Sequence, residues 1–196
     1  MNEQTRGRVA GLTLFATGVL FLTGIMVAAS IAPEYDYHGG AISDLGVVDE
    51  TAVLFNVLLI VVGALNIVGG SIFYGTHGRR WLLGLFVLGG IGAVGAGLMP
   101  LDTGAPHSLF ALVGFVCFNL EAVGTAAVVR GPMRAISLLA GAVGLAYVAV
   151  MVIGDGGDAA LFGPIGHGGS ERMIVYPAML WLLALGGDLM ADRRRA

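Results

Sequence analysis

The sequence predicts an all-α integral membrane protein, a six-helix bundle with both termini in the cytoplasm. Three observations carry that prediction: composition, the number of long apolar runs, and the placement of the arginines. Of 196 residues, 57% are hydrophobic and 12% charged, whereas soluble domains run near a quarter charged. A hydrocarbon core of ~30 Å takes ~20 residues of helix to cross. Six runs approach that length: residues 9–32, 51–73, 81–99, 107–129, 135–153 and 173–189. Together they make one six-span domain over 1–196. The chain has no lysine, and its arginines fall on one side. With the N-terminus inside, the inner segments hold Arg6, Arg8, Arg79, Arg80, Arg130, Arg134, Arg193, Arg194 and Arg195, and the outer segments only Arg172. That is the asymmetry the positive-inside rule describes.

The first run follows Arg6 and Arg8 and has the outline of a signal peptide. It is too long for an h-region, and Pro33 directly follows the one small-residue cleavage point, Ser30-Ile31-Ala32, so it reads as a retained helix. Runs two and three are joined by Tyr74–Gly78 before Arg79-Arg80, and runs four and five by Arg130–Arg134. Connections this short make their helices antiparallel neighbours. Small residues recur at packing intervals, as at Gly11/Gly18, Gly63/Gly70 and Gly141/Gly144, which suits close helix contact in lipid. In the sixth run Ser170 is the expected N-cap, and Pro177 is expected to free the carbonyl of Met173. No internal repeat supports a transporter of inverted-repeat design.

Composition also excludes some functions. A net charge of −3 gives no basic footprint for nucleic acid. The single cysteine, Cys117, lies in an apolar run and offers neither a disulfide partner nor a metal cluster. Haem ligation needs paired histidines at matching depth within spans, and only His107 sits near a span interior. The expected partners are membrane lipids.

The polar chemistry is concentrated in three outer breaks. His38-Gly39-Gly40-Ala41-Ile42-Ser43-Asp44-Leu45-Gly46 follows the first run, Asp102 and His107 flank the start of the fourth, and His167, Glu171 and Arg172 lead into the sixth, followed by Tyr176. Converging at one face, His38, His107 and His167 suit a zinc site with an open water position. The same residues suit an acid/base pair poised by burial, with Asp44 or His107 as base. Ser43, Asp102, Glu171 and Tyr176 are then ligand contacts. The spacing matches no compact zinc signature, and loop-locking hydrogen bonds explain the same residues equally well. Arg172 either pairs with Glu171 or Asp44 to hold the loops, or grips an anionic group with its planar fork. A second polar set, Asn66, Asn119 and Glu121, lies inside the spans. An intramembrane carboxylate is costly, and Glu121 lies too deep to join the outer cluster. Asn66 or an inner arginine such as Arg79 is its expected partner, either as structural glue or as part of a proton or ion pathway.

These motifs carry a resemblance. Ile42-Ser43-Asp44-Leu45-Gly46, Pro100-Leu101-Asp102 followed by His107, and Glu171-Arg172 with Tyr176-Pro177 and Trp181 resemble a prokaryotic domain-of-unknown-function family, the one numbered nine-nine-eight. The resemblance implies a multi-pass protein of a prokaryotic cell membrane and no particular activity. The Ile42–Gly46 element is also similar to eukaryotic DRAM-type and GPI-lipid-remodelling six-span proteins, which implies a lipid-linked theme. The expectation is an outward-facing polar pocket at headgroup depth that binds or modifies an amphiphile. If it is catalytic, it is a hydrolase or transferase acting at a lipid headgroup. The alternatives are a scaffold whose outer residues only lock loops, and a small proton-coupled transporter using Glu121.

Overall fold

Asn2 opens the first helix by accepting the N–H of Thr5 at 2.8 Å, a side-chain N-cap. The computed structural model describes residues 2–191, so Arg193, Arg194 and Arg195 lie outside the described residues. Because of that cap, α1 (Glu3–Ile31) begins well before its apolar run does. Five more helices follow: α2 (Ala52–His77), α3 (Arg80–Leu98), α4 (Ala105–Thr125), α5 (Pro132–Asp155) and α6 (Gly166–Met190). Gly78, at φ 67°, ends α2 with its N–H on the carbonyl of Tyr74, a left-handed cap that glycine adopts without strain. Prolines occupy the first turns of α4 and α5, where a missing N–H costs nothing. Three short 3₁₀ turns, Ile42–Gly46, Leu101–Thr103 and Ala159–Ile165, punctuate the connections at one end of the bundle.

Each helix packs on its chain neighbours, and α1 packs on α6, so the six close into a ring. α4 also reaches α6 across the ring. All six are long and apolar enough to cross a membrane. Their outer faces carry exposed hydrocarbon, with Leu12 59%, Val53 78% and Leu139 67% accessible, while Leu14, Phe86, Ile174 and Leu182 fill the interior. Such a surface would associate in water but is well solvated by lipid tails. The chain is a multi-pass membrane protein.

The ring closes on backbone contacts. A Cβ added at Gly11 would lie 2.7 Å from the carbonyl oxygen of Gly186, and one at Gly186 would lie 2.6 Å from that of Gly11. α2 and α3 meet the same way, at Gly63 and Gly90. Without a hydrophobic driving force between helices in lipid, this close approach supplies the dispersion contact that holds them. Trp181 adds a polar tie, its indole N–H donating to Ser137 Oγ at 2.9 Å.

One local expectation needs correction. α6 starts at Gly166, not after Ser170, and Ser170 Oγ donates back to the carbonyl of Gly166 at 2.8 Å instead of capping. Pro177 lies within the helix and has no N–H to give the carbonyl of Met173, and the next carbonyl, that of Ile174, accepts the Asn119 amide at 3.1 Å.

Adjacent glycines on α6 give a test of ring closure. Gly186→Val should cost about 1–3 kcal/mol in thermal or denaturant unfolding through overpacking. Gly187 faces open space, so Gly187→Ala should be neutral or stabilising by up to about 1 kcal/mol.

Candidate functional site

The site is built on the way the loop after α1 is tied to the first two turns of α6. Asp36 starts it. Its carboxylate accepts the N–H groups of His38 and Gly39, each at 2.8 Å, and its carbonyl accepts that of Gly40. Those two backbone donors hold the Asp36 carboxyl below its ordinary pKa. The folded loop turns its remaining carbonyls toward α6. Gly168 N–H donates to the carbonyl of His38 at 2.9 Å. Arg172 Nη1 donates to the carbonyls of Tyr37 (3.1 Å), Gly40 (3.3 Å) and Gly168 (2.6 Å), and Nη2 to the Tyr35 hydroxyl (2.6 Å). The guanidinium also lies over the Tyr37 ring, 4.7 Å from its centroid. Tyr35 in turn donates to the carbonyl of Ala41 at 2.7 Å. Arg172 is thus a loop lock held by oxygens of the backbone and one phenol, in place of the carboxylates expected for it.

One residue earlier, Glu171 accepts the N–H of Ile42 through Oε2, anchoring the 3₁₀ turn Ile42–Gly46. Thr51 donates to the carbonyl of Leu45 at 2.8 Å, and Asn56 to that of Gly46 at 2.9 Å. With Ile42 and Leu45 buried, Ser43 and Asp44 are set on the wall of a cleft.

Two cavities share a wall here. The mouth, about 410 Å³, lies among α4, α5, α6 and the Ile42–Gly46 turn, and takes in Asp44, Ser108, Asp155 and His167. The well behind it, about 70 Å³, runs into the ring between Phe21, Phe55, Leu59, Phe118, Val175 and Met179. Ser43, His107, Ala111, Phe115, Glu171 and Ile174 line both and so form the neck. At the neck His107 is 4% exposed and Glu171 5%. His107 Nδ1 lies 2.7 Å from the carbonyl of Met99. A carbonyl only accepts, so Nδ1 carries the proton, and Nε2 is left to the neck.

The remaining expected residues go elsewhere. His38 is exposed, with its ring over Gly166. Asp102 is exposed in the Leu101–Thr103 turn, and Tyr176 packs against the core. The zinc triad is not assembled, because His38 lies exposed over Gly166 and His167 Nε2 is turned onto Asp155 Oδ1 at 3.2 Å. Among the described residues no three His, Cys, Asp or Glu side chains group to hold a metal. Sequence reasoning missed Asp155 and Ser108 as mouth residues. Asp155 was visible as the carboxylate closing the fifth apolar run, but nothing in the chain said which way it faces.

The intramembrane set forms its own layer. Asn66 donates to Glu121 Oε1 at 2.9 Å and to the carbonyl of Phe86 at 3.1 Å, so the partner expected for Glu121 is the one found. Asn119 bridges α4 to α6 and lines the deep end of the well.

A family model described as "Protein of unknown function (DUF998)" matches residues 15–188. No curated protein and no solved structure matches the chain. The likeness to DRAM-type and GPI-lipid-remodelling proteins is therefore unsupported.

The Arg172 lock gives two predictions. Arg172→Ala leaves three carbonyls short of a charged donor and should lower unfolding stability by about 2 kcal/mol or more, with faster amide exchange through Tyr37–Ala41. Burial pushes the Tyr35 hydroxyl up from 10.0 to about 12, against the opposing pull of Arg172. A phenol raised in the fold favours its neutral form, so this contribution is intact below pH 10 and lost as pH rises toward 12. Absorbance titration should show a late phenolate transition that Tyr35→Phe removes.

Proposed function

The chain belongs to the DUF998 family, and from the shape and lining of its cleft we propose that it binds a single-chain amphiphile, head in the mouth and tail in the well. The observation that carries this is the neck. A polar mouth and an apolar well share the same wall at Ser43, His107 and Glu171, so one molecule of mixed character satisfies both. The well is narrow and lined almost wholly by hydrocarbon, which keeps water out and accepts a chain. Its width favours one tail over two. Between Glu171 and Met179 on α6 the path is about 12 Å at ~1.5 Å per residue, and a tail following it must widen a well of about 70 Å³ by moving the side chains that line it.

Entry is lateral. The rim of the mouth includes Leu112 and Val152, both exposed on the outer faces of α4 and α5, so a lipid moves in from the surrounding layer without crossing water. The arginine distribution supports a mouth that faces the outer leaflet of a cell membrane. His107 and Asp44, the residues expected as bases, flank the bound headgroup. With Nδ1 fixed, His107 Nε2 accepts a hydrogen bond from it. The scaffold reading is favoured for Arg172 alone, whose Nη1 and Nη2 donors go to the loop and to Gly168.

The test uses monododecanoylglycerol as probe, with protein held in a bulky steroid-type detergent that cannot thread the well. Saturable binding is expected. Ala111→Phe fills the neck and should weaken binding by about tenfold or more, with the melting temperature little changed. Absence of saturable binding, or binding indifferent to Ala111→Phe, contradicts the proposal.

A further inference from the structure

The mouth gathers acidic side chains and no arginine. Asp44, Asp155 and Glu171 face it, joined by the imidazoles of His107 and His167. Of these, His167 is turned onto Asp155 at 3.2 Å, and Glu171 already accepts the Ile42 N–H. No arginine lines the mouth or the well, and the chain has no lysine. The nearest cation in the chain, Arg172, is sandwiched against Tyr35 and Tyr37 with its Nη1 and Nη2 donors on loop oxygens. An anionic headgroup placed here would meet carboxylates and no counter-charge, in a site partly shielded from water, where like charges repel most strongly.

A second observation points the same way. His107 is more than nine-tenths buried and lines both mouth and well, and with Nδ1 on the Met99 carbonyl its Nε2 is the ring nitrogen left for a ligand. The neck and mouth together present acceptors: Nε2 of His107, the carboxylate of Asp44 and that of Glu171. A group made only of donors, bearing positive charge, complements all of them at once, and an alkylammonium carries three N–H donors on one atom.

We propose that the amphiphile held by this cleft carries a primary amine headgroup, its ammonium set between Asp44, Glu171 and His107 Nε2, with phosphate- and sulfate-headed lipids excluded by the acidic mouth. This rests on the amphiphile reading of the cleft and narrows it. Hydroxyl-headed lipids fit the hydrogen bonds but leave the Asp44 charge uncompensated. They rank second.

The experiment compares three probes of equal chain length, dodecylamine, monododecanoylglycerol and dodecyl phosphate. Binding to the full chain in the same bulky detergent is expressed per mole fraction in the micelle, so that partitioning cancels. Dodecylamine should bind about tenfold or more tighter than dodecyl phosphate, with the glycerol probe between them. Asp44→Asn, at a partly exposed wall position, should bring dodecylamine to within about threefold of the glycerol probe, the amine losing more than the glycerol probe does. A second variant, Asp155→Asn, relaxes the mouth charge from the α5 side and should narrow the amine–phosphate gap. Equal binding of all three probes, glycerol or phosphate binding tightest, or an amine preference that survives both substitutions overturns the headgroup assignment while leaving the cleft reading in place. Failure of all three to bind overturns the cleft reading itself.

Discussion

The guanidinium of Arg172 is the point on which this end of the molecule is fixed. A buried cation needs oxygens around it, and here the loop after α1 folds so as to supply Nη1 and Nη2 from Tyr37, Gly40 and Tyr35, with Gly168 of α6 adding its own carbonyl, while Nε is left without a partner. The loop cannot reach α6 unless α6 presents bare backbone. That is why a glycine-rich stretch, Gly166-His167-Gly168-Gly169, is wound into helix: a Cβ at Gly168 would drive into the Tyr37 and Gly40 carbonyls. Once the loop is seated, Glu171 meets Ile42, and Ser43 and Asp44 are placed without further adjustment. The local preference of glycine for turns is overridden by tertiary contact.

The same economy of side chains shapes the interior. Gly92, Ala93, Ala96 and Ala178 line the well among phenylalanines and leucines. Larger residues at those positions would have let the ring fill its own centre. Keeping a space there forfeits dispersion contacts, at a cost on the order of 1–2 kcal/mol for a void of this size. A closed ring of helices tied by glycine contacts on α1, α2, α3 and α6 tolerates that loss, because its walls are held by backbone approach and not by the contents of the centre.

Much of this was legible in the chain. Six helices followed from apolar length, since hydrocarbon compatibility over about 20 residues is a constraint few other folds meet. Depth left Glu121 two partners, Asn66 or an inner arginine such as Arg79, and Asn66 is the one that meets it. Helix ends were not legible from the apolar runs: α2 continues past residue 73 to His77 before Gly78 caps it, and Asn2 and Gly166 extend their helices likewise. The site was half legible. Ser43, Asp44, His107, His167 and Glu171 were singled out as polar interruptions, and they line the cleft. The chain could not say that His38 and Asp102 point outward, that Arg172 looks back at its own loop, or that Asp155 looks in. Those outcomes depend on side-chain direction at turns, where no periodicity exists to read.

The central claim is that mouth and well are one continuous cleft occupied by one molecule. An experimental structure of the chain in lipid, solved with dodecylamine present, tests it most directly. The account predicts elongated density running from between Asp44 and His107, past Ala111, to the side chain of Met179. Density confined to the mouth, or a well closed by repacking of Phe55, Phe115 and Phe118 around bound water, would contradict it.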